Sequence, residues 1–446
     1  MVRISSMATP AFNPHQQVLS IAFPMLLVGI STPLLGMVDT AVVGHLSEPY
    51  FLGAIAIGSM IFNFLFWGMG FLRMGTTGLT AKAVGEEKPD DISLVLFRGL
   101  LLAFFLGLLL ILFQSFIYRL IFYFVETSNE VLFHAQQYFQ IRIWAAPATL
   151  GSYVLLGWFL GQGKPRLNLL LVVLVNLINI FLDIVLVLWL DMNSAGVAWA
   201  TLIAEYVGLL VGLIIVLHVF QVKINQFPIS VLFHMAALKK YLAVNANVFL
   251  RTIFLLLSFA IFTIQGAKFG EIILAANVVL MNLQTLMAYV LDSLAHAAEV
   301  LVGRYYHGEQ MQKLRSVLIV TGQWSFMSAL FFSLLYLLFG EWLISLLTNI
   351  DDVKNTAAAF LPWLILSPIV SVWSYWFDGI FIGANLMKQM RNTMLISLLI
   401  FLAVWQILLV YGNHGLWAAM MIFMLARGLS MAYVAYQRLA QLKIKQ

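Results

Sequence analysis

Leu169-Leu-Leu-Val-Val-Leu-Val-Asn176-Leu-Ile-Asn179-Ile-Phe-Leu-Asp183-Ile-Val-Leu-Val-Leu-Trp-Leu190 carries only two amides and one carboxylate among apolar side chains. A helix that crosses a bilayer takes about 20 such residues. A strand of a membrane barrel takes about 10, in alternation, and nothing alternates here. Leu100–Phe113 is equally unbroken. Of the 446 residues, 62% are hydrophobic and 10% charged, whereas a soluble domain is about half apolar and a quarter charged. No water-soluble fold hides that much apolar surface, so soluble enzymes, nucleic-acid binders and disordered chains are excluded. The fold class is an all-α polytopic membrane protein.

Apolar runs read against Gly, Pro and charge predict twelve transmembrane helices, near 17–44, 51–72, 93–115, 132–158, 167–190, 195–221, 241–264, 273–302, 315–339, 356–383, 393–411 and 414–437. Lys and Arg test the layout. Of 24, 18 fall in or beside the N-terminal tail, the loops after even-numbered spans and the C-terminal tail. The opposite loops hold Arg119, Lys268 and Lys354, and Arg142, Arg251 and Arg427 lie inside spans. Basic loops stay cytoplasmic, which predicts cytoplasmic termini and accounts for the formal charge of +5 without a nucleic-acid partner. Met1–Gln17 has no apolar core before a cleavage site, so it does not read as a removable signal. With no cysteine, disulfides and thiolate metal sites are absent.

The halves resemble each other at a spacing of about 222 residues, as in Gly44…Leu52-Gly-Ala54 with Gly266…Leu274-Ala-Ala276, and Gly157-Trp-Phe-Leu-Gly161 with Gly379-Ile-Phe-Ile-Gly383. Gly196-Val-Ala-Trp-Ala200 recurs, slightly shifted, as Gly415-Leu-Trp-Ala-Ala419. Two six-span halves with the same orientation are a recurrent transporter design. The expected organisation is an N-lobe over 1–221, a cytoplasmic linker over 222–240 and a C-lobe over 241–446.

A charge in the hydrocarbon zone needs a partner, a wet cavity or a function. In the N-lobe, Arg142 and Glu205 are expected to form a structural pair, which leaves Asp39 and Asp183. Two carboxylates in one low-dielectric cavity cannot both ionise cheaply, so one should exchange protons. Asn176, Asn179 and Asp183 share one helical face at i, i+3 and i+7, and Thr201 stands one turn before Glu205. Span 1 carries Pro24 and Pro33 ahead of Asp39, and proline bends a helix. In the C-lobe, Arg251, Asp292, Glu299, Asp378 and Arg427 largely cancel; pairing or gating is expected of Arg251, Asp292, Asp378 and Glu299. His296 lacks metal-site spacing and reads as a packing histidine. Aromatic and Met-rich surfaces can adapt to varied ligands and attract organic cations.

Pro33-Leu-Leu-Gly-Met-Val-Asp-Thr-Ala-Val-Val-Gly-His-Leu46, Leu72-Arg-Met-Gly-Thr-Thr-Gly-Leu-Thr-Ala81, Asp292-Ser-Leu-Ala-His-Ala-Ala-Glu299 and Phe377-Asp-Gly-Ile-Phe-Ile-Gly-Ala384 together resemble the multidrug and toxic compound extrusion (MATE) family, in its DinF-type bacterial branch. The resemblance covers essentially the whole chain. It implies a V-shaped pair of six-helix lobes in the bacterial inner membrane and antiport of organic cations against protons or sodium. It also implies coupling residues at Asp39, Asn179 and Asp183, with Thr201 beside them. Sodium-coupled branches carry a glutamate on span 7 where this chain has Arg251, which favours protons; an N-lobe sodium site stays open, since hard cations accept carboxylate and amide oxygens. The alternative within the superfamily is a flippase of lipid-linked precursors. Its anionic cargo calls for basic cavity residues, whereas the spans hold three bases against six acids. No HExxH motif or nucleophile–base pair suggests an enzyme. The expected partners are small organic cations, protons and membrane lipids, handled by a monomer without a cofactor.

Overall fold

The computed structural model describes residues 12–43, 48–123, 127–222 and 227–444, without the side chains of 32, 37, 39–43, 49, 229 and 439–444. The described chain is almost wholly helical. The first half runs through α1 (Pro14–Val43), α2 (Pro49–Gly68), α3 (Phe71–Gly85), α4 (Pro89–Leu112), α5 (Gln114–Phe122), α6 (Asn129–Arg142), α7 (Ala146–Gly161), α8 (Pro165–Asp183) and α9 (Asn193–His218). The short α10 (Ile229–Leu232) leads to α11 (Met235–Ala267), α12 (Glu271–His307), α13 (Met311–Leu347), α14 (Asp351–Gly383), α15 (Met387–Leu408) and α16 (Gly412–Ile444).

Local chemistry sets several starts. Pro49, Pro89 and Pro165 occupy the first turns of α2, α4 and α8, where a missing N–H costs nothing and φ is already helical. Ser128 caps α6 by accepting from the Val131 N–H, as an N-cap hydroxyl does. The repeat is visible in the turns. Glu87 and Glu309 both take a positive φ, as do Gly163 and Asn385, and the members of each pair stand 222 residues apart.

Eleven stretches of described helix are long and apolar enough to cross a membrane. The last, Met387–Arg438, contains α15 and α16, which turn at Leu409–Tyr411 and pack on each other. One boundary differs from the sequence reading in a way that matters. The second span does not stop at residue 72: the crossing continues to Gly85, so Arg73 lies on a helix rather than in a loop. A charged residue ends the apolar run in the sequence, but after a brief turn at Met69-Gly70 the chain re-enters helix as α3 and runs on to the Gly85-Glu-Glu-Lys-Pro89 turn. Similarly, α11 begins at Met235, inside the stretch expected as linker.

One buried apolar cluster fills the N-terminal half and continues across to Leu294, Val302, Ile380 and Met390; a second surrounds Phe262, Trp405 and Trp417. Phe104, Phe105, Leu112 and Phe116 are among many exposed large apolar side chains. An aqueous protein could not carry so much exposed apolar surface; a bilayer covers it.

Candidate functional site

The α8 stripe places three polar groups in one corner of the first half. Asn176 Nδ2 lies 3.5 Å from the Ser31 carbonyl of α1. Asn179, fully buried, donates to Thr201 Oγ1 of α9 at 3.2 Å, and that hydroxyl donates to the Val197 carbonyl at 2.9 Å. Asp183 is fully buried. Immediately after it the backbone widens into a π-helical turn over Ile184–Trp189, a distortion frequent at functional sites. The stripe therefore meets α1 and α9 through its amides, on the helix that ends at the buried Asp183. Pro24 is buried within α1, and Pro33 is half-buried. Position 39 is on α1, but the Asp39 side chain lies outside the described residues, as does Gly44 of the repeat.

Arg142 and Glu205 do not form the expected ion pair. The Arg142 guanidinium stands over the Phe62 and Phe66 rings, 5.5 Å from each centroid, and none of the ion pairs among the described residues joins it to Glu205. A buried guanidinium loses water on both faces, and aromatic quadrupoles offset part of that loss.

The second half is organised by charge. Asp378 Oδ2 on α14 accepts from Arg251 Nη2 of α11 in a close contact, and from Arg427 Nη2 of α16 at 2.9 Å. All three residues are buried. Arg427 Nη1 also reaches Met424 Sδ at 3.2 Å, and its guanidinium lies over Phe423. Glu299 is buried and meets His296 Nδ1 at 3.1 Å. Asp292 is exposed, although Arg73, Arg251, His296 and Asp378 all act on it electrostatically. The structure thus joins Arg251 to Asp378, sets Glu299 on a histidine, and places Asp292 in the field of Arg73, His296 and Arg251 without a direct ion pair among the described residues.

Comparison with known proteins identifies this arrangement. The MatE family model matches residues 24–185 and again 248–407. The chain belongs to that family. It is 41% identical over 93% of its length, and 90% of the relative's, to the DNA damage-inducible protein F of Escherichia coli. It is 24% identical to a probable multidrug resistance protein NorM of Bacillus cereus, over 79% of each chain. A crystal structure of a MATE protein in the bent conformation superposes with a TM-score of 0.86 at 19% identity, covering 97% of both chains. MATE proteins are multi-pass membrane transporters, not enzymes.

Against that family background, three residues were missed or undervalued by sequence reasoning. Arg73 was assigned to a loop, His296 to helix packing, and Arg427 was counted without a partner. For Arg73 a signal existed: small residues continue at helical spacing through Gly75, Gly78 and Ala81. Arg427 could be matched to Asp378 only in three dimensions.

Proposed function

We propose that this MATE protein is a secondary antiporter that exports lipophilic organic cations in exchange for protons, coupled through Asp39 and Asp183. In this reading Asn176, Asn179 and Thr201 contact the cation or tune the acids, and Pro24 and Pro33 let α1 bend. The observation that carries the proposal is the fully buried Asp183 at the end of a stripe of neutral amides. Such neighbours can hydrogen-bond a carboxylate without cancelling its charge, so a cation and a proton compete for it. In the other half, two guanidiniums share Asp378, which argues against a sodium ion there and favours coupling through the N-lobe. The near relationship to a bacterial protein supports an inner-membrane location. The distribution of Lys and Arg supports twelve crossings with both termini cytoplasmic; the internal repeat supports lobes at 1–221 and 241–446, and the transporter is taken to function as a monomer. With that orientation, the lobes meet at their cytoplasmic ends and the cycle stands open to the outside.

The test is efflux of a fluorescent lipophilic cation from sealed vesicles under an imposed pH or sodium gradient. Efflux driven by the pH gradient, and reduced to background in Asp39→Asn and in Asp183→Asn, is expected. Efflux driven only by sodium would replace the coupling ion. No cation movement under either gradient would reject the antiporter in favour of a lipid-linked anionic cargo.

A further inference from the structure

The lobes touch along a seam where α3 packs on α12 and α14. The approach is close: a Cβ on Gly303 would fall 2.4 Å from the Ala81 Cβ, and one on Gly85 would fall 2.6 Å from the Arg304 carbonyl oxygen. Several polar contacts cross between the halves among the described residues, including Thr76 Oγ1 with Tyr241 OH, Arg304 Nη2 to the Gln162 carbonyl and Tyr305 OH to Gln17 Oε1; one of them, where α3 meets α12, contains a titratable imidazole ring. Arg73 Nη1 of α3 lies 2.9 Å from His296 Nε2 of α12, and His296 Nδ1 lies 3.1 Å from Glu299 Oε2.

The chemistry of these groups fixes the protons. A guanidinium has donors only, so His296 Nε2 must present its lone pair to Arg73. The imidazole proton then sits on Nδ1 and is donated to the Glu299 carboxylate. Donation runs one way, from cation through neutral ring to anion, and each link is strengthened by charge. A second proton on the ring would go to Nε2. It would set N–H against N–H and place a second positive charge beside the guanidinium.

We infer that Arg73, His296 and Glu299 form a proton-sensitive clasp between the lobes, which holds the seam shut while His296 is neutral and releases it when His296 is protonated. Other charged or titratable groups frame the clasp. Tyr153 of α7 faces Arg73, and Asp292 on α12 itself faces both Arg73 and His296. Arg251 of α11 and Asp378 of α14 act on Asp292, and Tyr375 of α14 is coupled to all three. On α13, Lys313 and Arg315 lie toward the helix start, and His15 lies at the start of α1. Arg73 is the member contributed by the opposite lobe, so losing its bond weakens the seam, which Thr76–Tyr241, Arg304–Gln162 and Tyr305–Gln17 also join, without dismantling either half. The inference rests on the alternating-access reading only in that the seam must open.

Because the chain has no cysteine, spin labels can be placed at Lys88→Cys and Gln310→Cys, one exposed position on each lobe, in lipid nanodiscs. Their distance distribution, followed from about pH 8 to about pH 5, spans the range in which an imidazole gains its proton. A short distance at high pH and a growing longer population at low pH are expected. His296→Gln can still accept from Arg73 and donate to Glu299 but does not titrate, so it should stay short throughout. Arg73→Leu should raise the open population about tenfold at high pH, the order expected from losing one charge-assisted hydrogen bond, and remove its pH dependence. A parent that never opens, a His296→Gln that opens like the parent, or an Arg73→Leu that stays closed would each overturn the clasp. The distances are read without substrate. A normal pH response with no cation efflux therefore counts against the transport reading and leaves the clasp standing.

Discussion

The polar corner of the first half and the charge cluster of the second lie on helices that do not correspond in the repeat, and they bury polar groups in different ways. Around Asp378 the protein supplies opposite charge, with Arg251 and Arg427 on one carboxylate oxygen. Along the α8 stripe that ends at Asp183, Asn176 reaches the Ser31 carbonyl and Asn179 donates to Thr201 Oγ1, so the bonds on this face are made by amides and a hydroxyl. A charge-compensated cluster costs much to disturb and little to leave alone. On the proposed function, one half is suited to holding its shape and the other to exchange.

The widest separation between the halves should appear when one carboxylate is removed from each. Asp378→Ala leaves two buried guanidiniums facing each other without an anion. Breaking a buried pair in this way costs about 3–5 kcal/mol, and thermal unfolding in detergent should show a large drop. Asp183→Asn keeps the shape and the hydrogen-bonding capacity, so its unfolding temperature should stay near that of the parent while cation efflux disappears. Equal losses of stability in the two variants would erase the distinction.

How much of this contrast was readable beforehand follows from the reach of each signal. Spans are local, and runs such as 169–190 announced themselves by length alone. The common face of Asn176, Asn179 and Asp183 also follows from helical period. Contacts between distant helices are not local. Arg142 had Glu205 as the obvious opposite charge, but its guanidinium found two phenyl rings, because Phe62 and Phe66 lie across a helix interface that no spacing reveals. Arg73 was lost for a related reason: a charge was read as the end of a span, when its burial is met by a histidine from the opposite lobe. The π-helical turn after Asp183 has no residue type that marks it.

A smaller effect separates aromatic from ionic support within the first half. Arg142→Lys keeps the charge but loses the planar stack on Phe62 and Phe66, which should cost about 0.5–2 kcal/mol of stability. Glu205→Gln removes a charge that acts on Arg142 only at a distance while keeping shape and hydrogen-bonding capacity, and should cost less stability than Arg142→Lys. The reverse order in thermal unfolding would restore the ion pair as the main support and make the first half more like the second.

A last substitution probes whether the neutral stripe is glue or site. Thr201 accepts from Asn179 and donates to the Val197 carbonyl, and Thr201→Val removes both bonds while keeping the shape. The Asn179 amide loses a partner in a buried setting, for a cost of about 1 kcal/mol, and Thr201→Ser should recover most of it. If the hydroxyl only joins α8 to α9, efflux should fall no more than the folded fraction does. If it also orders Asn179 against the acid, Thr201→Val should weaken apparent cation affinity severalfold in fully folded protein, and Thr201→Ser should restore it. A ranking by stability alone would place Thr201 with the packing residues and confine exchange to the carboxylates.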